Sequence, residues 1–159
     1  VGRFHQSCIR GKWGEPCNSC WKCFRKNTLI SAIGGNEISE SSERAIKKSK
    51  EIRKHLLENK PIKHEGVLAY SLERASGGGE VFNQLRRLVR VGTINTDWME
   101  HWYPSSKSLI DSGYAEYTSQ KLRETLGEMT REQISDLLGW TNKSDENREE
   151  RLTELSKLI

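Results

Sequence analysis

Apolar residues recur along this chain at three- and four-residue intervals, the spacing that lines one side of an α-helix. Trp21, Phe24, Ile30 and Ile33 predict a helix that begins near Asn18 and closes on Gly34 and Gly35. A second helix is predicted from about Ser41 to Asn59, with Ala45, Ser49, Ile52 and Leu56 on one stripe and a Lys- and Glu-rich face opposite. Val67, Leu68 and Leu72 in residues 64 to 74, and Val81, Leu85, Leu88 and Val89 in residues 80 to 91, predict two shorter helices joined by a flexible Ser76 to Gly79 linker. The aromatic segment TDWMEHWYP follows, then a helix from about Tyr114 to Glu128. Thr130 and Gln133 form a capping box that opens another helix ending at Gly139, and a charged amphipathic helix runs from about Ser144 onward. No run alternates with period two for long enough to make a strand, and no internal repeat is visible. The expected fold class is mainly α.

Composition narrows what those helices can build. The AVILMFWYC fraction is 34%, and the 13 glycines raise it only to about 42%, below the globular norm of about 45 to 50%. A chain of 159 residues can hold one real core, but a core this lean is expected to rely on a metal or a partner chain. No stretch reaches the roughly 18 apolar residues of a membrane helix, and VGRFHQSC has no apolar segment of a secretory leader. The expectation is a cytoplasmic protein with no membrane role. Because the chain opens on Val1, it is expected to be a fragment, a processed product or a split subunit.

Charge is unevenly placed. The formal +4 conceals six basic residues against one acid within the first 26 positions: Arg3, Arg10, Lys12, Lys22, Arg25 and Lys26 against Glu15. The remainder is close to neutral. The same stretch holds all four cysteines, Cys8, Cys17, Cys20 and Cys23, spaced C-x8-C-x2-C-x2-C. Zinc takes four thiolates about 2.3 Å away in a tetrahedron, which puts the sulfurs under about 4 Å apart. A C-x2-C turn achieves this locally, Cys23 can point back from the first turn of a helix, and the loop carrying Gly11, Gly14 and Pro16 can bring Cys8 round. Four thiolates and Zn²⁺ sum to −2, which the surrounding Lys and Arg would offset. The expected metal ligands are therefore Cys8, Cys17, Cys20 and Cys23, with the zinc structural because a closed four-thiolate set leaves no open position. Disulfides rank lower in a chain without a leader, an iron–sulfur cluster lacks its C-x3-C-P continuation, and His5 is a rival ligand that four thiols make unnecessary.

CIRGKWGEPCNSCWKCFRK resembles the zinc-binding segment of 7-cyano-7-deazaguanine synthases and related PP-loop ATP pyrophosphatases, in cysteine spacing and in its Gly-rich, Pro-Cys flank. The chain itself is expected to divide into a four-cysteine zinc-binding segment with the first helix, 1–35, and a helical C-terminal region, 36–159. The resemblance spans about residues 5 to 30 and places Arg25 and Lys26 at the basic positions after the last cysteine. It implies that this helical portion packs on an α/β nucleotide-binding domain upstream or in another chain. The implied chemistry activates a carboxylate as an adenylate for capture by ammonia, in nucleobase modification or antiviral defence, with ATP and Mg²⁺ bound by that other domain. The family's phosphate loop, S-G-G-x-D-S, is absent here. Ser76-Gly77-Gly78-Gly79-Glu80-Val81 imitates only its opening, so no catalytic and no nucleotide-binding residue is assigned to this chain.

Three further features have a sharp and a plain reading. Trp98 and Trp102, four apart, are expected on one side of a short helix, either as a docking surface for a protein partner or, preferably, as packing anchors. Arg86, Arg87 and Arg90 form a basic edge read as solvated rather than as a phosphate or RNA contact. His55, His64 and His101 have no partner at ligand spacing. A nucleic-acid-binding module, with Trp13, Trp21 and Phe24 among the early basic residues, is the alternative function.

Overall fold

In the computed structural model, residues 8, 10–12, 15–58, 62, 64–92, 95–138 and 147–159 are described. They form α1 (Trp21–Ile33), α2 (Glu40–Lys48), α3 (Lys50–Leu57), α4 (Glu65–Arg74), α5 (Gly79–Leu88), 3-10 turns at Asp97–Glu100 and Pro104–Leu109, α6 (Ser112–Leu126), α7 (Arg131–Leu138) and α8 (Arg148–Leu158). Among the described residues there is no sheet, only the isolated bridges Lys12 to Glu15, Ile38 to Gly77 and Trp102 to Glu128. No helix among them is long and apolar enough to cross a membrane. The described residues are all-helical in their regular structure, as the periodicity predicts. His5, Trp13, Asn59, Gly139 and Ser144 lie outside the described residues.

Two compact units emerge: residues 1–94 with 144–159, and residues 95–143. In the first, α1 packs on α4 and α5 packs on α8. Their apolar stripes meet in one core, where Ile46, Ile52, Leu56, Phe82, Leu85, Leu88 and Leu155 are wholly buried. Each such side chain contributes about 1.5 to 3 kcal/mol of transfer free energy. Glu65 is also buried, and the Arg148 guanidinium grips it with two hydrogen bonds of 3.1 and 3.0 Å. Glu65 also accepts from the Ile62 N–H at 3.1 Å. The pair fixes the start of α8 against the start of α4.

Local geometry departs from the sequence expectation at four places, each for an identifiable reason. The helix expected from Asn18 starts at Trp21, because Asn18 has φ +52° and cannot enter a right-handed helix. The helix expected over 41 to 59 breaks at Ser49, whose extended backbone ends α2 and whose hydroxyl accepts from the Ile52 N–H at 3.2 Å to start α3. The Ser76 to Gly79 linker is ordered: Ile38 N–H donates to the Ser76 carbonyl at 2.8 Å, and Gly77, Gly78 and Gly79 all have positive φ. A Cβ at Gly78 would meet the Phe82 ring at 2.5 Å, so this backbone can lie on the core only without a side chain. Arg86, expected to be solvated, instead donates to the carbonyls of Leu72 (3.1 Å), Ala75 (2.6 Å) and Gly77 (3.1 Å). It thereby satisfies the carbonyl groups that α4 leaves open at its C-terminus.

The second unit is built differently. The 3-10 turn ends at Glu100, and Trp102 is in a bridge to Glu128, so Trp98 and Trp102 do not share a helix face as expected. Trp102 exchanges backbone hydrogen bonds with Gly127 and Met129 at 2.8 and 3.0 Å, and the Trp98 indole donates to the Asn95 carbonyl at 2.9 Å. Both rings are half-buried. The capping box forms in both directions: Gln133 N–H donates to the Thr130 hydroxyl at 3.1 Å, and Thr130 N–H donates to the Gln133 side-chain oxygen at 2.9 Å.

Candidate metal centre

The four cysteines arrive from three pieces of backbone. Cys8 stands at the start of a loop that turns back through a Glu15 N–H to Lys12 carbonyl hydrogen bond of 2.9 Å. Gly11 is required there, since a Cβ would lie 2.1 Å from the Glu15 carbonyl oxygen. Cys17 and Cys20 bracket a tight turn through the left-handed Asn18. Cys20 is the N-cap of α1, and its sulfur accepts from the Cys23 N–H at 3.4 Å. The first turn of α1 has no acidic side chain, so these two sulfurs occupy the place where a helix favours negative charge.

The result is a cluster whose four sulfurs all lie within 4.8 Å of one another, with Cys17 and Cys23 at 3.8 Å. A tetrahedral zinc–thiolate centre has sulfur–sulfur edges of about 3.8 Å. Cys20 and Cys23 are buried, while Cys8 and Cys17 are half-buried. The donor set is therefore all-sulfur, close to tetrahedral spacing and partly shielded from water. This arrangement suits zinc. Among the described residues no other group of His, Cys, Asp and Glu comes together as a metal site.

The surroundings divide the thiols into two kinds. Hydrogen bonds from the backbone N–H groups of Cys17 and Arg10 hold Cys8 down to about 6. Burial pushes Cys17 upward, but the N–H and hydroxyl of Ser19 outweigh it and the net direction is down. Burial pushes Cys23 up to about 12, with the neighbouring sulfurs adding to the rise and the Asn18 N–H opposing it. Without a metal the cluster thus holds a ready thiolate at its rim and a protonated thiol in its interior. Binding a cation must expel that proton.

Residues outside the cluster brace it, and sequence reasoning missed them. Glu51 on α3 pairs with Arg10 in the loop and accepts from the Trp21 N–H at 3.2 Å, and Arg10 draws the Glu51 carboxyl below the usual range. The Ser49 hydroxyl donates to the Ser19 carbonyl at 2.6 Å. The break between α2 and α3 therefore serves the cluster, because an uninterrupted helix would point Ser49 elsewhere. Its capping preference was the available sign. Glu51 resembled any acid on a solvated face. Trp21 stacks on His55 with centroids 5.1 Å apart, and Arg25 lies 5.9 Å above the Trp21 ring. Two of the basic residues expected to offset the thiolates, Arg10 and Arg25, therefore also have structural partners. His101 faces the Asp97 carbonyl and Gln133 at 3.0 and 3.2 Å, and His64 caps α4 in a left-handed conformation.

Residues 1–141 match the model of a family of unknown function, DUF6395. The match covers most of the chain, and the chain belongs to that family. No curated protein and no solved structure matches it.

Proposed function

We propose that this DUF6395 member is a zinc protein in which Cys8, Cys17, Cys20 and Cys23 hold one structural Zn²⁺, and that it forms the helical, metal-bearing part of an ATP-dependent enzyme of the PP-loop type. The observation that carries the metal reading is the convergence of four sulfurs within 4.8 Å. A closed four-thiolate shell has no position for water or substrate, so the ion's work is to tie the 8–17 loop to the N-terminus of α1. Metal-linked folding is worth roughly 10 kcal/mol or more in small zinc sites, enough to compensate for a lean core.

The enzyme reading rests on the resemblance of residues 5 to 30 to deazaguanine synthases. In it, ATP and Mg²⁺ bind a nucleotide-binding domain upstream or in a separate chain, and carboxylate activation there serves nucleobase modification or antiviral defence. This chain supplies a docking surface, with Trp98 and Trp102 as contacts for a protein partner. The Ser76 to Gly79 segment serves structure in this reading, its Gly77 carbonyl accepting from Arg86.

A two-part experiment tests this. Elemental analysis of the purified chain is expected to give one zinc per chain and no iron. The full-length gene product, with its neighbouring chains, is expected to convert ATP to AMP and pyrophosphate, whereas this chain alone does not. Absence of a stoichiometric metal, or a brown iron chromophore, removes the zinc reading. Zinc without ATP turnover by any such assembly removes only the enzyme.

A second reading, a zinc-stabilised nucleic-acid-binding module, is favoured by one observation. The metal-bearing unit holds 21 basic and 14 acidic residues, whereas the other holds 5 and 8. Salt-titrated binding to RNA and DNA decides it, because backbone contacts weaken steeply with salt.

A further inference from the structure

Between the Cys17 to Cys20 turn, α1 and the first turn of α2 lies a cavity of about 130 Å³, lined by Asn18, Phe24, Asn27, Ser41, Ser42 and Ala45. A cavity of roughly 150 Å³ holds a benzene. The space therefore suits one six-membered ring better than a fused pair.

Its chemistry is equally selective. No lining residue is charged, so an ion would lose its hydration without gaining a counter-charge. Two carboxamides and two hydroxyls supply donors and acceptors, while Phe24 and Ala45 supply an apolar wall. The Asn27 amide donates to the Asn18 side-chain oxygen at 3.3 Å, which turns the two carboxamides toward each other. That bond leaves the Asn18 NH₂ as a donor and the Asn27 oxygen as an acceptor, the complement of a C(=O)–NH edge. Ser41 and Ser42 are tied to the Ser39 hydroxyl at 2.7 and 3.3 Å, which holds them at the rim.

Asn18 strengthens the case. Its φ of +52° is a conformation that glycine adopts at no steric cost. Glycine could make the same turn, so the Asn18 carboxamide, whose oxygen accepts from Asn27, can turn its NH₂ to a ligand.

We propose that this cavity binds a neutral, single-ring cyclic amide of the pyrimidine-base class, with its amide edge on Asn18 and Asn27 and its ring against Phe24. The site adjoins the four-cysteine cluster through the Asn18 turn but uses none of its sulfurs, and it does not require the ATP-dependent partner.

Titration of the metal-loaded protein with uracil, followed by ¹H–¹⁵N NMR, tests this. Saturable shifts confined to residues 18, 24, 27, 41, 42 and 45 are expected at millimolar concentration, the range for so small a ligand. Benzoate, similar in size but charged, and adenine, with two rings, are expected to produce none. Uridine 5′-monophosphate in a parallel titration distinguishes the source: tighter binding than uracil identifies a nucleotide as the ligand, and weaker binding a free base. N18G is expected to keep its metal and lose uracil affinity by about tenfold, the loss from one or two ligand hydrogen bonds. N27A lies outside the turn and repeats the test should N18G lose metal. Absent or scattered shifts, equal binding of benzoate, or unchanged affinity in N27A overturns the proposal. Metal content measured on the same samples separates that result from failure of the zinc reading.

Discussion

The two units use nearly opposite means of staying folded. Every residue of the main buried cluster, from Trp21 to Leu155, belongs to residues 1–94 or 144–159. In residues 95–143 the described buried positions are Thr96, Ser119 and Met129, while Leu109, Tyr114, Tyr117 and Leu138 stand 68% to 86% exposed. The first unit has a shared core, a buried ion pair and a braced four-sulfur cluster. The second has few buried side chains among the described residues and leans on hydrogen bonds: the reciprocal cap at Thr130, the Asp111 side chain accepting from Gly113 N–H at 2.9 Å, surface pairs such as Lys121 with Glu124, and the Trp102 backbone bonds to Gly127 and Met129. The caps and surface pairs contribute about 1 kcal/mol each or less. Burial holds the first unit together, whereas the second is joined by hydrogen bonds at helix ends and across the bridge at Trp102.

The largest expected effect is loss of the metal. Chelation, or Cys20→Ser, is expected to abolish stoichiometric zinc and to remove roughly 10 kcal/mol of metal-linked stability from the first unit. This is comparable with the whole stability of an ordinary domain. Metal content and thermal unfolding measure it. An unchanged melting temperature would place the first unit's stability in its apolar core alone.

Acid should act in the same direction. Cys23, pushed up to about 12, carries a proton throughout the neutral range in the metal-free chain and must release it on binding. Apparent zinc affinity is therefore expected to fall by at least about tenfold for each pH unit lowered, one factor for each proton displaced. Cys8, with its value lowered to about 6, stays ionised until the pH falls through that point. Below it a further proton competes and the loss steepens. Competition with a chromophoric chelator across the pH range reads the slope.

Core truncation comes next. Phe82→Ala is expected to cost about 3 to 5 kcal/mol, because the ring is fully buried and leaves a cavity. Leu138→Ala, at 70% exposure, is expected to stay within about 0.5 kcal/mol. Equal costs in denaturant unfolding would erase the contrast between the units.

The buried pair gives a smaller, sign-dependent result. Glu65→Gln leaves the Arg148 guanidinium shielded without its counter-charge and is expected to cost about 3 kcal/mol. Replacing both partners with leucine should recover most of that, which a double-mutant cycle would show. The smallest effect belongs to Thr130→Ala, about 1 kcal/mol through the lost cap. It should appear as faster amide exchange across α7.

The sequence by itself determined the helical class, the approximate place of most helices, the Thr130 cap and the four-cysteine candidate. These depend on spacing of 3.6 residues, on side chain to backbone bonds three positions apart, and on ligands gathered within 16 residues, all readable from neighbours along the chain. Only the tertiary structure decided that Ser49 breaks a helix to reach Ser19, that Glu51 bridges Arg10 and the Trp21 N–H, that Arg86 serves carbonyls instead of solvent, and that Trp98 and Trp102 part company. Apart from the Trp98 indole, which bonds Asn95 three positions away, each of these is a polar or aromatic group whose partner lies on another segment. Local pattern fixes which face of a helix is apolar, but a hydrogen bond across 30 or more positions exists only once packing has brought its two ends together.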